Sequence, residues 1–217
     1  MQNILEAILY PIIWVMQFVL GIINSIIPST GFSILLLSFL FALAALPLRK
    51  KAEILERHVG AKMSLVEKEV KDQRGALKGE KLFLLTEKIY KKHNYHPIQS
   101  VYMGASFFVM LPVLISAILL FSGETLAGKS YLLINDLSQP DHLFGIVNVL
   151  PIVMSSITVI DARLRFASDR KARIRFYVVA AVMLLIVHSM ASGLVLYWTG
   201  SNVISLVMSN WKIFIRK

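Results

Sequence analysis

A chain of 217 residues that is 56% hydrophobic and 17% charged, with a mean hydropathy of +0.66, lacks the roughly 25% charge that clothes a water-facing surface. This excludes a soluble enzyme, and the absence of cysteine excludes a disulfide scaffold, thiol chemistry and Cys-based metal sites. The formal charge of +10 suits nucleic acid, an anionic membrane surface or orientation in a bilayer, and the positions of the charges decide among them.

In chain order, Met1–Ile27 is apolar enough to span a bilayer. On a helix turning about 100° per residue, however, Glu6, Gln17 and Asn24 fall on one line, with Asn3 and Tyr10 beside it. A single polar stripe with Trp14 next to it predicts an amphipathic helix over residues 1–28, lying on the extracytoplasmic surface. A sixth span is the alternative. With no basic n-region and no clear cleavage site, the segment does not read as a cleaved signal peptide.

A hydrocarbon core about 30 Å thick needs roughly 20 mostly apolar residues per helix. Five runs free of Asp, Glu, Lys and Arg meet this need: Gly31–Leu48, Val101–Phe121, Gly145–Ile160, Phe176–Ser192 and Gly193–Trp211. Together they predict an all-α, polytopic membrane protein with a five-helix core. Residues 29–48 form its first helix, and residues 98–217 form four more around an extracytoplasmic loop at 122–145. Ala191-Ser192-Gly193 leaves room only for a tight turn. The third and fourth runs, at 1.5 Å per residue, reach about 24–26 Å and favour local thinning of the bilayer.

The segment 49–97 leaves the membrane. Leu55, Val59, Met63, Val66 and Val70 form a narrow apolar seam, Gly75 and Gly79 interrupt it, and Leu82, Leu85 and Ile89 form a second. The pattern predicts an antiparallel helical hairpin with charge pairs such as Glu67–Lys71 outside. This segment, the stretch Asp161–Arg175 and the tail hold 22 of the 23 Lys and Arg; Lys129 is the exception. Five crossings put all three on one side, which the positive-inside rule makes cytoplasmic. Topology therefore accounts for the charge, and no nucleic-acid binding is expected.

No phosphate loop, nucleophile elbow, His-Glu-x-x-His or paired intramembrane carboxylates occur, so no enzyme, cofactor or metal site is expected. His188 reads as hydrogen-bonded packing, and Asp161 as an ion-pair partner of Arg163 or Arg165 at the membrane rim. The spans instead carry rows of small polar residues. Trp198, Ser201, Asn202, Ser205 and Ser209 share one face; Gln99, Tyr102 and Ser106 share another; Ser155 and Thr158 lie on a third helix. They read either as walls of a hydrated groove open to the cytoplasm or as packing contacts between helices.

Ser192-Gly193-Leu194-Val195-Leu196-Tyr197-Trp198-Thr199 with Asn202 resembles the last-helix signature of the YidC/Oxa/Alb membrane protein insertases. Asn135–Asp141 followed by Leu150-Pro151-Ile152 is similar to their extracytoplasmic loop and next span. Leu46-Pro47-Leu48, Lys62-Met63, Ile89–His93 and His96-Pro97 follow their pattern through the hairpin. The resemblance covers about residues 10–211. It implies a bacterial inner-membrane protein whose groove receives transmembrane segments and releases them to lipid, with the hairpin helping to engage them. Its partners would be newly made membrane proteins and the bilayer, with the Sec translocon or ribosome as suppliers. Gln99, Tyr102, Ser106, Tyr197, Trp198, Ser201 and Asn202 are then groove lining.

One departure is Ala42, on a small face with Ser38 and Ala45, where the family carries an arginine. The tail ending at Lys217 also leaves no long basic ribosome-binding extension as an expectation. A degenerate paralogue serving one membrane complex as a structural partner is therefore the second reading, and a small channel or transporter the third.

Overall fold

In lipid a spanning segment must satisfy its own backbone hydrogen bonds, and long apolar runs do so as helices. The computed structural model describes the backbone of residues 2–75, 77–122, 124–145, 147–167 and 170–215, and the side chains of these except 2–5, 103, 107, 124, 171, 172 and 211–215. Asn3, Glu124, Lys171, Trp211 and the tail cations Lys212, Arg216 and Lys217 lie outside the described side chains. Among the described residues there are seven α-helices: α1 Gln2–Ile26, α2 Thr30–Arg74, α3 Glu80–Lys92, α4 Ala105–Phe121, α5 Val149–Arg165, α6 Arg170–Val187 and α7 Ser192–Ile215. Among the described residues the only β-pairing is two isolated bridges, Tyr131 with Ile134 and Phe144 with Val147. Two stretches, Glu6–Ile26 and Thr30–Arg74, are long and apolar enough to cross a bilayer.

Several boundaries differ from those expected. α2 does not stop at Leu48 but runs on to Arg74, since the residues after Pro47 are mostly good helix formers and none is a proline. The segment before α4 is 3₁₀ from Pro97 to Gly104, with the His96 ring accepting a hydrogen bond from the Ile98 amide, so α4 starts at Ala105 rather than Val101. α5 starts at Val149, because Gly145 takes a positive φ in the turn before it, and continues past Ile160 to Arg165. α6 ends at Val187, which moves the tight turn to residues 188–191.

The chain forms two compact units, one of Met1–Ala44 with Val113–Lys217 and one of Ala45–Pro112. It passes between them in α2 and α4, close to Pro47 and at Pro112, each of which removes one helical hydrogen bond.

In the first unit, α1 buries Met16, Leu20 and Ile23 against Ile34 and Leu37 of α2, Ala117, Leu120 and Phe121 of α4, and Leu194 and Tyr197 of α7, with Leu9 buried on the same face. α1 thus carries three stripes: this buried one, an exposed apolar one with Ile8, Val15, Phe18, Ile22 and Ile26, and the exposed polar one with Glu6, Gln17 and Asn24. Small polar residues lie among the buried apolar ones, with Ser33, Ser38 and Ser116 fully buried, while large apolar side chains such as Val178 and Leu185 on α6 face outward. The apolar outer face and the buried serines depart from a soluble protein, and suit a surrounding as apolar as the interior.

The segment between α4 and α5 is tied to the helix ends it joins. The Asp141 carboxylate accepts from the amides of Val149 (2.9 Å) and Leu150 (2.8 Å), placing negative charge at the start of α5. Asn148 donates its side-chain amide to the His188 carbonyl (2.5 Å) with the His188 ring beside it. The first amides of α7 are satisfied likewise: Ser192 donates to the Gln139 carbonyl (2.8 Å) and Gly193 to that of Leu137 (2.9 Å). Asp136 accepts from the Ser138 amide (2.8 Å), which with the Ser138 hydroxyl lowers its pKa.

The second unit is the hairpin. Val59, Met63, Val66 and Val70 of α2 pack on Leu85, Ile89 and Tyr90 of α3 and on Tyr95, whereas Leu55 stays exposed. Glu69 lies at the centre of its polar contacts, accepting from Lys92 (2.7 Å) and His93 (2.6 Å) across the hairpin and from Gln73 (2.9 Å) one turn on. Lys92, then His93, hold the Glu69 carboxyl down at about 2. The expected Glu67–Lys71 pair does not form among the described residues; Lys91 pairs with Glu87 instead (2.7 Å).

Candidate functional site

The polar row of α7 lies against α5. The two helices run parallel, and Thr158 of α5 meets Asn202 of α7, Asp161 meets Asn210, and Arg165 meets Ser205 and Ser209. Asn202 donates its amide to the Thr158 hydroxyl (3.1 Å). Two turns beyond Thr158, the Arg165 Nη2 donates to Asp161 (2.7 Å), to the Ser209 hydroxyl (2.7 Å) and, at longer range, to Ser205 (3.4 Å). The other Asp161 oxygen accepts from Asn210 (3.0 Å), a side chain only 2% exposed.

The seam is graded along its length. It starts with neutral hydroxyl and amide groups at Thr158 and Asn202 and ends in a charge pair at Asp161 and Arg165. The pair adds no net charge, but Arg165 keeps spare donors: its Nε is buried without a partner. Such an atom costs about 1–3 kcal/mol relative to one that is bonded.

Ser201, Asn202 and Ser205 are half-buried, so the row is neither sealed nor fully exposed. Trp198 is half-buried against the cluster of Met154, Val187 and Val195. Tyr197 stands apart from the row: it is buried in the main core with its ring 5.7 Å from Phe121. Ser155 turns to α6, donating to the Ala180 carbonyl (3.4 Å), so it joins α5 to α6 rather than to the α7 row.

Ala42 is only 2% exposed. One turn earlier on α2, Ser38 donates its hydroxyl to the Leu35 carbonyl (2.7 Å) and lies where a side chain on Gly200 of α7 would have to go. Glycine at 200 is therefore required by the close approach of α7 to α2, and the small face of Ser38 serves packing.

Gln99, Tyr102 and Ser106 belong to the second unit. Tyr102 is exposed and Gln99 half-buried on the 3₁₀ segment. The Ser106 amide donates to Glu56 Oε1 (2.7 Å), so a carboxylate from α2 caps the start of α4, while the Ser106 hydroxyl is buried without a partner.

Asp161 with Arg165 was legible as an i, i+4 pair. The reach of Arg165 to Ser205 and Ser209, the burial of Asn210 and the Glu56 cap were not, because each depends on which helix lies alongside. Among the described residues no three His, Asp or Glu side chains gather as metal ligands.

Residues 22–215 match the model of the 60Kd inner membrane protein family. The chain is 29% identical over 213 residues to the membrane protein insertase YidC of Leptospira interrogans (strain 56601), covering 90% of this chain and 32% of the relative. It is 31% identical over 217 residues to that of Herminiimonas arsenicoxydans, covering 93% and 36%. The chain thus spans about a third of the length of these two relatives. The YidC of Fusobacterium nucleatum, 27% identical over 194 residues, is matched over 90% of its length. Among solved structures, an active YidC insertase crystal structure with the first transmembrane domain resolved is similar in fold, with a TM-score of 0.59 over 95% of this chain and 46% of that one at 15% identity. The match to the family model over nearly the whole chain, together with the loop and last-helix motifs, shows that the chain belongs to the 60Kd inner membrane protein family, the YidC/Oxa/Alb insertases.

Proposed function

We propose that this chain is a multi-pass membrane protein insertase of the bacterial inner membrane, acting without covalent chemistry. The single observation that carries the reading is the half-buried row Ser201, Asn202 and Ser205 on α7, joined to Arg165 at its charged end. On an otherwise apolar helix such a row is costly to expose to lipid. It offers hydrogen bonds to the polar flank of a client helix whose apolar body stays in the bilayer. Burial of that apolar body supplies the free energy.

In this reading α2 and α4–α7 span the membrane. α1 lies at the extracytoplasmic interface, with its polar stripe to water and its exposed apolar stripe to lipid. The hairpin and the C-terminus are cytoplasmic, as the distribution of Lys and Arg supports. α5 and α6, with 17 and 18 residues, reach about 26–27 Å, short of the roughly 30 Å hydrocarbon core, and so thin the bilayer beside the row. Clients are newly made membrane proteins, delivered by the Sec translocon or a ribosome.

The test is insertion of a small single-span client into proteoliposomes of the purified protein. The expected result is insertion above empty liposomes, reduced several-fold by the Asn202→Leu/Ser205→Leu pair. Activity equal to empty liposomes overturns the reading. A second reading, a structural partner of one membrane complex that no longer inserts clients, draws on the closed, uncharged position of Ala42. Failure to complement insertase-depleted cells together with stoichiometric co-purification of one complex would establish it.

A further inference from the structure

The segment between α4 and α5 contains a turn whose residue choice makes little sense in water. Tyr131 and Ile134 exchange both backbone hydrogen bonds (2.9 Å each), closing a two-residue turn on Leu132 and Leu133. A two-residue turn with positive φ at its first central residue favours glycine there. Here Leu132 takes φ 51°, a conformation that costs a residue with a side chain about 1–2 kcal/mol. Both leucines are also nearly bare, Leu132 at 86% and Leu133 at 80% exposed, which forgoes about 1.5–3 kcal/mol of burial for each. In water the strain and the exposure are both losses, whereas against acyl chains the exposure becomes the gain that offsets the strain.

The position of the turn says what covers it. The Tyr131 ring occupies the space a side chain on Gly31 would fill, which fixes the turn at the second residue of α2, where that apolar helix begins. Its base is rigid: the Lys129 amide donates to the Leu126 carbonyl (3.1 Å), the Lys129 carbonyl accepts from Leu137 (2.8 Å), and Leu126 and Leu137 are fully buried. Lys129 is the only Lys or Arg between Ser122 and Asn148, and among the described residues its ammonium makes no ion pair. Of the carboxylates in this segment whose side chains are described, Asp136 accepts from Ser138 and Asp141 from the start of α5. A cation three and four residues from two bare leucines matches an anionic headgroup above acyl chains.

We propose that the Leu132-Leu133 turn is a lipid anchor, inserted into the leaflet at the N-terminal end of α2 with Lys129 at the level of the phosphates. The inference rests on α2 crossing the bilayer and is independent of whether the chain inserts clients.

The chain has no cysteine, so Leu133→Cys gives one labelling site on a residue outside the core. The full chain carrying a nitroxide there is reconstituted into phosphatidylethanolamine–phosphatidylglycerol vesicles, and its collisions with oxygen and with a water-soluble nickel chelate are compared by paramagnetic resonance. The expected result is a several-fold excess of oxygen over nickel accessibility at 133, the reverse at Asn135→Cys in the same loop, and the lipid pattern repeated at Leu132→Cys. A label at 133 as open to nickel as that at 135 overturns the proposal. Low accessibility to both reagents also overturns it, because the turn is then covered by protein, such as a second copy.

Discussion

The two compact units both bury apolar clusters, but they differ in what lies among those clusters and in what faces outward. In the hairpin, Val59, Val66 and Ile89 are buried and the charges of Glu69, Lys92 and Glu87 lie outside, so expulsion of apolar surface from water is the driving force. In the other unit Ser33, Ser38, Ser116 and Asn210 are inside, while Leu185 is 78% exposed. There the outside is as apolar as the inside, so close approach at Gly200 and hydrogen bonds between α5 and α7 must hold the helices together. The same kind of side chain therefore sits differently in the two places, buried in the hairpin at Ile89 and turned outward in the other unit at Leu185.

The sharpest way to break this comparison is one pair of truncations. Ile89→Ala should cost the hairpin about 3 kcal/mol, read as lost hydrogen-exchange protection of α3. Leu185→Ala should change the thermal stability of the detergent-solubilised protein by less than about 0.5 kcal/mol, and equal effects would erase the distinction. Next in size, Asp161→Ala strands Arg165 and Asn210 between α5 and α7 and should cost about 2 kcal/mol in the same thermal assay. Asp161→Ala/Arg165→Met, which removes both charges, should recover at least half of that loss, and no recovery would mean that the pair does not hold the seam.

The smallest effect is a pH dependence confined to the hairpin. The Glu69 carboxyl is held at about 2 against an ordinary 4.5, so its contribution is fully present above pH 4.5 and is lost as pH falls from there towards 2. Exchange protection of α3, corrected for intrinsic rates, should fall across that window, and Glu69→Gln should flatten the fall. A slope unchanged in Glu69→Gln would assign it to other carboxylates.

Residue order alone carries the helical class, the hairpin seams and the polar face of α7, because periodicity and charge are local properties of the chain. The Asp161–Arg165 pair is likewise local, four residues apart on one helix. Helix ends were less legible: α2 ran past Leu48 since nothing after Pro47 stops it, and α5 began late because of the positive φ at Gly145. What only the tertiary structure decided is which neighbour each polar side chain meets. Tyr197 and Ser155 sit on helices with the right pattern, yet one goes into the core beside Phe121 and the other to the Ala180 carbonyl. A helical pattern specifies a face, whereas the partner of that face depends on helix order and rotation, set by contacts between residues 40 or more positions apart such as Asn202 with Thr158 and Arg165 with Ser209.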